Sequence, residues 1–389
     1  MTSTLDADAA TNVREAVAEI AAEWAADRVA RQQRTALDPD DLDRLAGAGL
    51  LRTGLPADRG GLWTGLTTST RPIGSIYRTL AAGDSSVALS SSMHPSVLSF
   101  WLATPDVPEP DQAAWTAQRD AVFATVEDGA RWGTITSEPG SGGDVTKSRT
   151  TATRAGEGWR MTGQKHFGSG SGTTDYMLTT AVPEGEESPD WFYVPIPGRD
   201  LDAAEGVTVI APWDGQGMRA TQRHALAFDG APAVRVAWPG HLTDIQMACG
   251  PFIGTLFTAV VLGIVETAVA AARQQLAPRG EGLRAFEQVE WAQAEMEAWT
   301  VEQVYEGMLR AVESGEPARG AVLRGKTMAA QLAESSLLRI CRVLGGGTFA
   351  RRSPFGHWFE DVRALGYLRP PWALAFDGVI LDSLTIADE

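Results

Sequence analysis

Two glycine-rich stretches decide the fold of this chain. The first is Thr134-Ile-Thr-Ser-Glu-Pro-Gly-Ser-Gly-Gly-Asp-Val145, and the second is Gly163-Gln-Lys-His-Phe-Gly-Ser-Gly-Ser-Gly172. The Gly, Ser and Pro residues of the first stretch predict a turn that exposes backbone N–H groups and hydroxyls. Such a turn suits a ligand edge that is rich in hydrogen-bond acceptors. A single turn of this kind is more often a plain hairpin, so the evidence lies in the two stretches together.

The sequence pattern changes twice around these stretches. Apolar residues at three- and four-residue steps, such as Val13, Val17 and Ile20, predict helices before the first stretch. Short β-branched and aromatic runs separated by Gly, Pro and Asp predict strands from about residue 120 to 240. Long Ala- and Leu-rich helical patterns follow. We therefore predict an α+β chain with a helical domain at 1–118, a β domain at 119–240 and a helical bundle at 241–389.

Composition excludes several classes of partner. The 389 residues hold 33 Lys and Arg against 49 Asp and Glu, a net charge of −16. A net anion is not attracted to nucleic acid or to an anionic membrane surface, so neither is expected as a partner. The five histidines show no metal-ligand spacing with each other or with the cysteines, and no metal site is expected. A small-molecule substrate remains open.

Cysteine usage and the apolar segments predict a cytoplasmic protein. Cys249 and Cys341 lie far apart in apolar surroundings, as buried thiols do in a reducing compartment. The N-terminal segment is acidic and amphipathic and does not resemble a signal peptide. The apolar segment 247–272 is interrupted by glycines and by Glu266. A helix buried within an oligomer is the better interpretation of it than a membrane span.

Together, the two glycine-rich stretches resemble the flavin-binding signatures of the acyl-CoA dehydrogenase superfamily, in order and in spacing. The resemblance implies a helical first domain, a middle β-barrel or sandwich, a C-terminal four-helix bundle and a flavin cofactor, FAD or FMN. In that family the first signature contacts the flavin ring through backbone and hydroxyl groups, and a hydroxyl of the second bonds near the ring. The residues implicated here are Ile135, Thr136, Ser137, Phe167 and Ser169.

A third element, Arg342-Val-Leu-Gly-Gly-Gly-Thr-Phe349 followed by Phe359-Glu-Asp-Val-Arg363, resembles the family's glycine-rich segment near the C-terminus. In the family it meets the dinucleotide part of the cofactor across a subunit boundary. This implies cofactor roles for Arg342, Gly345 and Gly346 and a homotetramer or homodimer, although three glycines by themselves more often end a helix. The family's adenine-binding motif is replaced by Ala277-Pro-Arg-Gly280. Either Arg279 contacts a phosphate, or the cofactor is FMN.

The chain departs from the dehydrogenases at the catalytic base. Acyl-CoA desaturation needs a glutamate that removes a proton, an effect worth about 10²–10⁴ in rate. One family position for it corresponds to Gly366-Tyr-Leu-Arg-Pro-Pro-Trp372 and the other falls near Ile253, and neither is acidic. Glu266 and Asp377 are substitutes in principle, but such residues are more often solvated or structurally paired.

Other segments resemble the flavin-dependent monooxygenase branch of the superfamily. These are Gly83-Asp-Ser-Ser-Val-Ala88, His94 and the tail at Pro370 and Pro371. That branch uses reduced flavin, delivered by a partner flavin reductase, together with oxygen. His94 and Ser169 are then the candidate catalytic residues, because histidine titrates in a useful range and a hydroxyl donates a hydrogen bond. A packed histidine at a helix end is an equal alternative for His94.

Three functions follow from these resemblances. The first is a flavin-dependent oxidoreductase of the monooxygenase type, acting on a small apolar, aromatic or acyl substrate. The second is a dehydrogenase of acyl-CoA or acyl-carrier-protein thioesters. The third is a non-catalytic flavin-binding scaffold. The missing acid favours the first, and a shared fold does not decide among them.

Overall fold

A computed structural model describes residues 2–104 and 107–384, with side chains from residue 8 onward. The first domain is helical, as its spacing predicts: Val13, Val17 and Trp24 are buried on one face of the first helix. Its helices are α1 (Thr2–Ala26), α2 (Arg28–Gln33), α3 (Pro39–Gly47), α4 (Leu66–Gly83), α5 (Ser85–Leu102) and α6 (Gln112–Glu127).

The middle domain is a β-barrel. Its strands are β1 (Trp132–Thr134), β2 (Thr151–Ala155), β3 (Gly158–Gly168), β4 (Tyr176–Pro183), β5 (Asp190–Pro195), β6 (Val207–Ala211) and β7 (His224–Arg235). The pairings β4–β2–β3–β7–β5 close on themselves because β5 also pairs with β4. Strands β1 and β6 join this ring at β4 and β7. The alternating inward residues form an apolar core that includes Met161, Phe192 and Leu226.

The third domain is again helical. Its helices are α7 (Leu242–Leu276), α8 (Ala285–Glu313), α9 (Arg319–Leu344), α10 (Pro354–Val362), α11 (Ala364–Tyr367) and α12 (Trp372–Leu384). The long helices α7, α8 and α9 pack on one another, and α4 of the first domain packs along α7. Helix α7 is apolar and long enough to cross a membrane, but 83% of its most apolar window is buried inside the protein. It is a core helix, as the sequence predicted for 247–272.

The predicted class and domain order are confirmed, while the expected boundary at residue 118 falls inside α6. The inner face of α6 packs across the junction: Trp115 lies 6.2 Å from Trp238, ring centroid to ring centroid. Helical periodicity continues through such a junction, so it could not mark the end of the domain. The Trp101 and Trp132 rings, whose centroids lie 5.6 Å apart, form a second aromatic contact between the first and second domains.

Candidate functional site

A cavity of about 730 Å³ opens where the three domains meet. Helix α5 supplies one wall with Met93, Ser96, Val97 and Phe100, which recur at helical spacing and so share a face. Ile253 and Phe257 of α7 add a second apolar wall. The end of α11 and the loop after it enter from the third domain and bring Tyr367, Leu368, Arg369 and Pro371. Both glycine-rich stretches line the remaining side.

The first glycine-rich stretch leaves the barrel at the end of β1. Thr136, Ser137 and Gly140 line the cavity. Ile135 does not: its side chain is fully buried in the barrel core, and its N–H donates to the Leu178 carbonyl at 2.9 Å. Thr136 and Ser137 therefore lie where they can reach a ligand, although their flavin contacts stay predictions, whereas the Ile135 side chain supports the wall from behind.

The second stretch turns its aromatic side chain into the cavity. The β3–β7 pairing is irregular between Lys165 and Gly168, and Phe167 there adopts a φ of 63°, a left-handed conformation that is costly for a bulky residue. Phe167 is 58% exposed and stands edge-on to Trp213, with 6.4 Å between the ring centroids. Gly168 is required beside it, because a Cβ there would lie 2.9 Å from Ile135 Cδ1.

Ser169 follows on the same wall and presents a hydroxyl. The residue is 4% exposed and lines the cavity, and its backbone bridges to Thr134. Its Oγ has no hydrogen-bond partner among the described residues, so it is available to a ligand.

A buried ion pair ties the two stretches together. Lys165 Nζ donates to Glu138 Oε1 at 2.6 Å, to Ser148 Oγ at 2.9 Å and to Thr180 Oγ1 at 3.0 Å. The other carboxylate oxygen of Glu138 accepts from the Arg149 N–H at 2.7 Å. Burial raises the pKa of Glu138, but the hydrogen bonds from Lys165 and Ser148 together lower it to about 2. Glu138 touches the cavity wall as a satisfied anion and is not free to act as a base.

Both expected positions of a catalytic base face the cavity, and neither holds an acid. Ile253 and the segment beginning at Tyr367 are lining residues. Glu138 is the one carboxylate among the described lining residues. Glu266 pairs with Arg78 on another face of α7, and Asp377 is exposed on α12. Neither of these two substitutes reaches the site.

Two arginines line the cavity with unsatisfied N–H groups. Nε and Nη2 of Arg223, and Nη1 of Arg369, are buried and have no hydrogen-bond partner among the described residues. Arg369 Nη2 donates to Thr136 Oγ1. Burial lowers the pKa of each guanidinium to about 10, so both stay cationic at neutral pH. Buried charges are normally paired, and these two are left for something else to neutralise.

His94 lies outside this cavity. It borders a separate void of about 30 Å³ between α3, α5 and β1. Its Nε2 lies 3.1 Å from the Leu51 carbonyl, and its Nδ1 accepts from the Trp132 N–H at 3.2 Å. These partners define a neutral ring with the proton on Nε2. Burial lowers its pKa to about 4. The geometry favours the packed histidine over the catalytic one.

The remaining predicted cofactor residues also lie away from the cavity of a single chain. Arg279 is in a short turn after α7 and pairs with Glu287 at 2.7 Å. Arg342 is half exposed on α9 beside Glu290, and Gly345 and Gly346 form the exposed end of that helix. Their cofactor roles stay predictions that require a second copy of the chain.

Several lining residues were missed by sequence reasoning. Arg223 and Trp213 come from the loop between β6 and β7, Trp191 comes from β5, and no local pattern marks them as lining residues. Lys165 and Glu138 could have been recognised from the sequence, because each is a charged residue within one of the two glycine-rich stretches. A Lys and a Glu predicted within adjoining strand ends are natural ion-pair candidates.

Comparisons with known proteins agree with this geometry. The family described as acyl-CoA dehydrogenase, middle domain, matches residues 133–231, which hold both stretches. An amino sugar nitrososynthase, DnmZ of Streptomyces peucetius, is 25% identical over 243 residues, 58% of this chain and 59% of that protein. A dibenzothiophene monooxygenase of Mycolicibacterium goodii is 27% identical over 300 residues, 70% of this chain and 66% of that protein. Each alignment thus spans less than two thirds of the relative's length.

Solved structures share the fold over the whole chain. FMN-bound TdsC from Paenibacillus sp. A11-2 has a TM-score of 0.76 and covers 96% of this chain and 97% of its own, at 21% identity. At that identity the likeness shows the fold alone. The shared fold extends over nearly all of this chain, and the predicted order of helices, strands and helices is confirmed.

Proposed function

With a middle domain of the acyl-CoA dehydrogenase family and the fold of that superfamily along its length as premises, we propose that this chain is a reduced-flavin-dependent monooxygenase. The supporting observation is the chemistry of the cavity wall. Among the described lining residues, the single carboxylate is held by Lys165, while two arginines have unsatisfied N–H groups. Desaturation needs a free base at this wall. The relatives, a nitrososynthase and a monooxygenase, support the same function.

The residues present fit a flavin. The cavity is within the range of about 300–1,000 Å³ usual for cofactor and ligand sites. Thr136, Ser137 and Ser169 offer hydroxyls and backbone groups to the polar edge of a ring, and Phe167 offers an aromatic face. The unsatisfied N–H groups of Arg223 suit a phosphate. These residues would hold the cofactor within one chain.

The chemistry that a bound reduced flavin supplies is the two-electron reduction of oxygen, with one oxygen atom entering the substrate and the other leaving as water. The chain itself excludes water from the reaction with apolar side chains, which are Phe100, Leu178, Trp191 and Phe257. Excluding water strengthens every polar contact inside the cavity. Ser169 Oγ, which has no other partner among the described residues, would be free to donate a hydrogen bond to the bound flavin.

FMN suits this chain better than FAD. Arg279, the residue that would replace the family's adenine-side contact, is held by Glu287 on the surface. Arg223 offers one phosphate contact inside the cavity. The solved relative with the same fold contains FMN. The reduced cofactor would be delivered by a separate flavin reductase in the cytoplasm.

A homotetramer or homodimer is part of the proposal. On α8, four large apolar side chains lie exposed at spacings of three, seven and three residues, which places them along one face. They are Phe286, Val289, Met296 and Trp299, each between 56% and 62% exposed. Light scattering of the flavin-loaded protein is expected to show an assembly, and a stable loaded monomer would contradict this part of the proposal.

Flavin titration and oxygen uptake test the function together. The purified chain is expected to bind FMN and to change the rate of oxygen uptake by NADH, FMN and a flavin reductase, relative to the same mixture without the chain. A panel of acyl-CoA thioesters is expected to leave the oxidised flavin unbleached without oxygen. Ser169→Ala should weaken FMN binding roughly two- to tenfold, the worth of one neutral hydrogen bond. The matched control, Ser188→Ala, changes an exposed serine. Rapid anaerobic bleaching by a thioester, or failure to bind any flavin, would overturn the proposal.

A further inference from the structure

The Arg369 guanidinium is built to meet an anion beside the two glycine-rich stretches. It lines the cavity, and Nη1 is buried without a partner among the described residues. Asp144, an acid that acts on it through space, is occupied by the Thr146 N–H at 3.0 Å and by Lys147 Nζ at 3.4 Å. No described carboxylate forms an ion pair with Arg369. The charge is therefore uncompensated by the chain itself.

Hydrogen bonds from Lys326 hold the backbone on both sides of Arg369. The buried Lys326 Nζ donates to the Leu368 carbonyl at 2.8 Å and to the Pro370 carbonyl at 2.9 Å. The bond from Arg369 Nη2 to Thr136 Oγ1 fixes the guanidinium as well. A side chain held at its backbone and at its tip loses little entropy when it binds a ligand. Such preorganisation is typical of a recognition group.

The position of Arg369 separates it from the phosphate of the cofactor. It is bonded to Thr136, which under the proposed function contacts the flavin ring. The phosphate of FMN is joined to the ring by a five-carbon chain and needs a contact farther off. Arg223 stands on a different wall, beside Trp213, at 5.9 Å from its ring centroid. Two cations with unsatisfied N–H groups on two walls indicate two anions.

We infer that Arg369 binds the carboxylate of an apolar acid, so that the substrate is an aromatic or acyl carboxylate whose body packs against α5 and α7. This inference rests on the proposed function and names its substrate class. The apolar walls of Val97, Phe100, Ile253 and Phe257 accept the body, and Arg369 accepts the head. A planar guanidinium suits a carboxylate better than it suits a neutral amide.

Matched acids and amides test the inference. The probes are benzoate and benzamide, 2-naphthoate and 2-naphthamide, and indole-3-acetate and indole-3-acetamide, titrated into the protein with and without FMN. Wild type is expected to bind at least one acid more tightly than its amide by roughly tenfold or more, the worth of a charge-assisted hydrogen bond. Arg369→Gln should abolish that preference, and Arg369→Lys should keep part of it. The control Arg352→Gln removes an exposed arginine and should leave the preference intact.

The remaining outcomes overturn the inference in distinct ways. Equal binding of acids and amides, no binding of any acid at millimolar concentration, or a preference that survives Arg369→Gln would each overturn it. If Arg369→Gln weakens FMN but not riboflavin, the residue binds the flavin phosphate and the inference is wrong. If FMN fails to bind wild type while the acids still require Arg369, the proposed function fails and the carboxylate site stands. Unchanged thermal unfolding of Arg369→Gln would exclude misfolding as the cause.

Discussion

Lys165 lies buried behind the cavity wall and Arg369 lines the cavity, and the chain treats these two cations in opposite ways. Lys165 is completely enclosed and donates to Glu138, Ser148 and Thr180. Arg369 has one bond to Thr136 and an N–H group with no partner among the described residues. A buried charge without a partner destabilises the folded protein. Such a charge is therefore expected where a ligand supplies the opposite charge. The first cation holds the wall together, and the second is kept for a ligand.

The largest loss of stability is expected when the ion pair between Glu138 and Lys165 is broken. Glu138→Gln leaves the Lys165 charge in the barrel wall and should lower the free energy of unfolding by about 3–5 kcal/mol. Urea unfolding at fixed protein concentration measures it. Glu187→Gln, an exposed change on the same domain, is the control. The double variant Glu138→Gln with Lys165→Met should recover much of the loss, because it removes both charges. A loss below about 1 kcal/mol would show that the pair behaves like a surface pair.

His94 is a third buried titratable group, and it is neutral in the folded protein at pH 7. Its folded pKa is about 4, below the ordinary value of 6.5, so the unfolded chain takes up the proton first as the pH falls. Stability is therefore lost as the pH drops from 6.5 through 4. Between pH 7 and pH 5 the loss should be about 2 kcal/mol. The measurement is the difference in this pH dependence between wild type and His94→Gln, which cancels the other groups that titrate there. An identical pH dependence in the variant would contradict a neutral, packed histidine.

At Phe167 the destabilising feature is the backbone conformation and not a buried charge. Its φ of 63° favours glycine, so Phe167→Gly should be more stable than Phe167→Ala by about 1 kcal/mol. Both variants lose the same ring, which makes each the control for the other. Both should also bind FMN more weakly than wild type, as flavin fluorescence titration would show. Equal stability of the two variants would mean that the loop relaxes when the ring is removed.

The smallest effect on stability is expected when Arg369 is replaced. Arg369→Met removes an uncompensated charge, so the flavin-free protein should keep its free energy of unfolding within about 1 kcal/mol of wild type, or gain stability. Urea unfolding beside Lys165→Met measures it, since that variant removes the compensated cation instead. A loss at Arg369 as large as the loss at Glu138 would show that the two cations serve the same structural purpose.

Much of this fold was predictable, and the reasons lie in local sequence. Val13, Val17 and Ile20 predict a helix because their spacing is set within a few turns of chain. The stretches at 134–145 and 163–172 predicted Thr136, Ser137, Phe167 and Ser169 as residues of the site, and all four line the cavity. The Ile135 side chain turns into the barrel core, so its predicted flavin contact stays a prediction for its backbone alone. The expected boundary at 118 missed the junction because α6 continues through it.

The sequence by itself determined the element types, the domain order, the two turns at the cavity and the lack of an acid at both usual base positions. Each of these depends on residues close together in the chain. Only the tertiary structure decided which charges are paired. It joined Lys165 to Glu138, left N–H groups of Arg223 and Arg369 without partners among the described residues, and placed His94 outside the site. Ion pairing and burial depend on residues that are far apart in sequence and close in space, such as residues 136 and 369. A local sequence pattern does not show which distant residues come together.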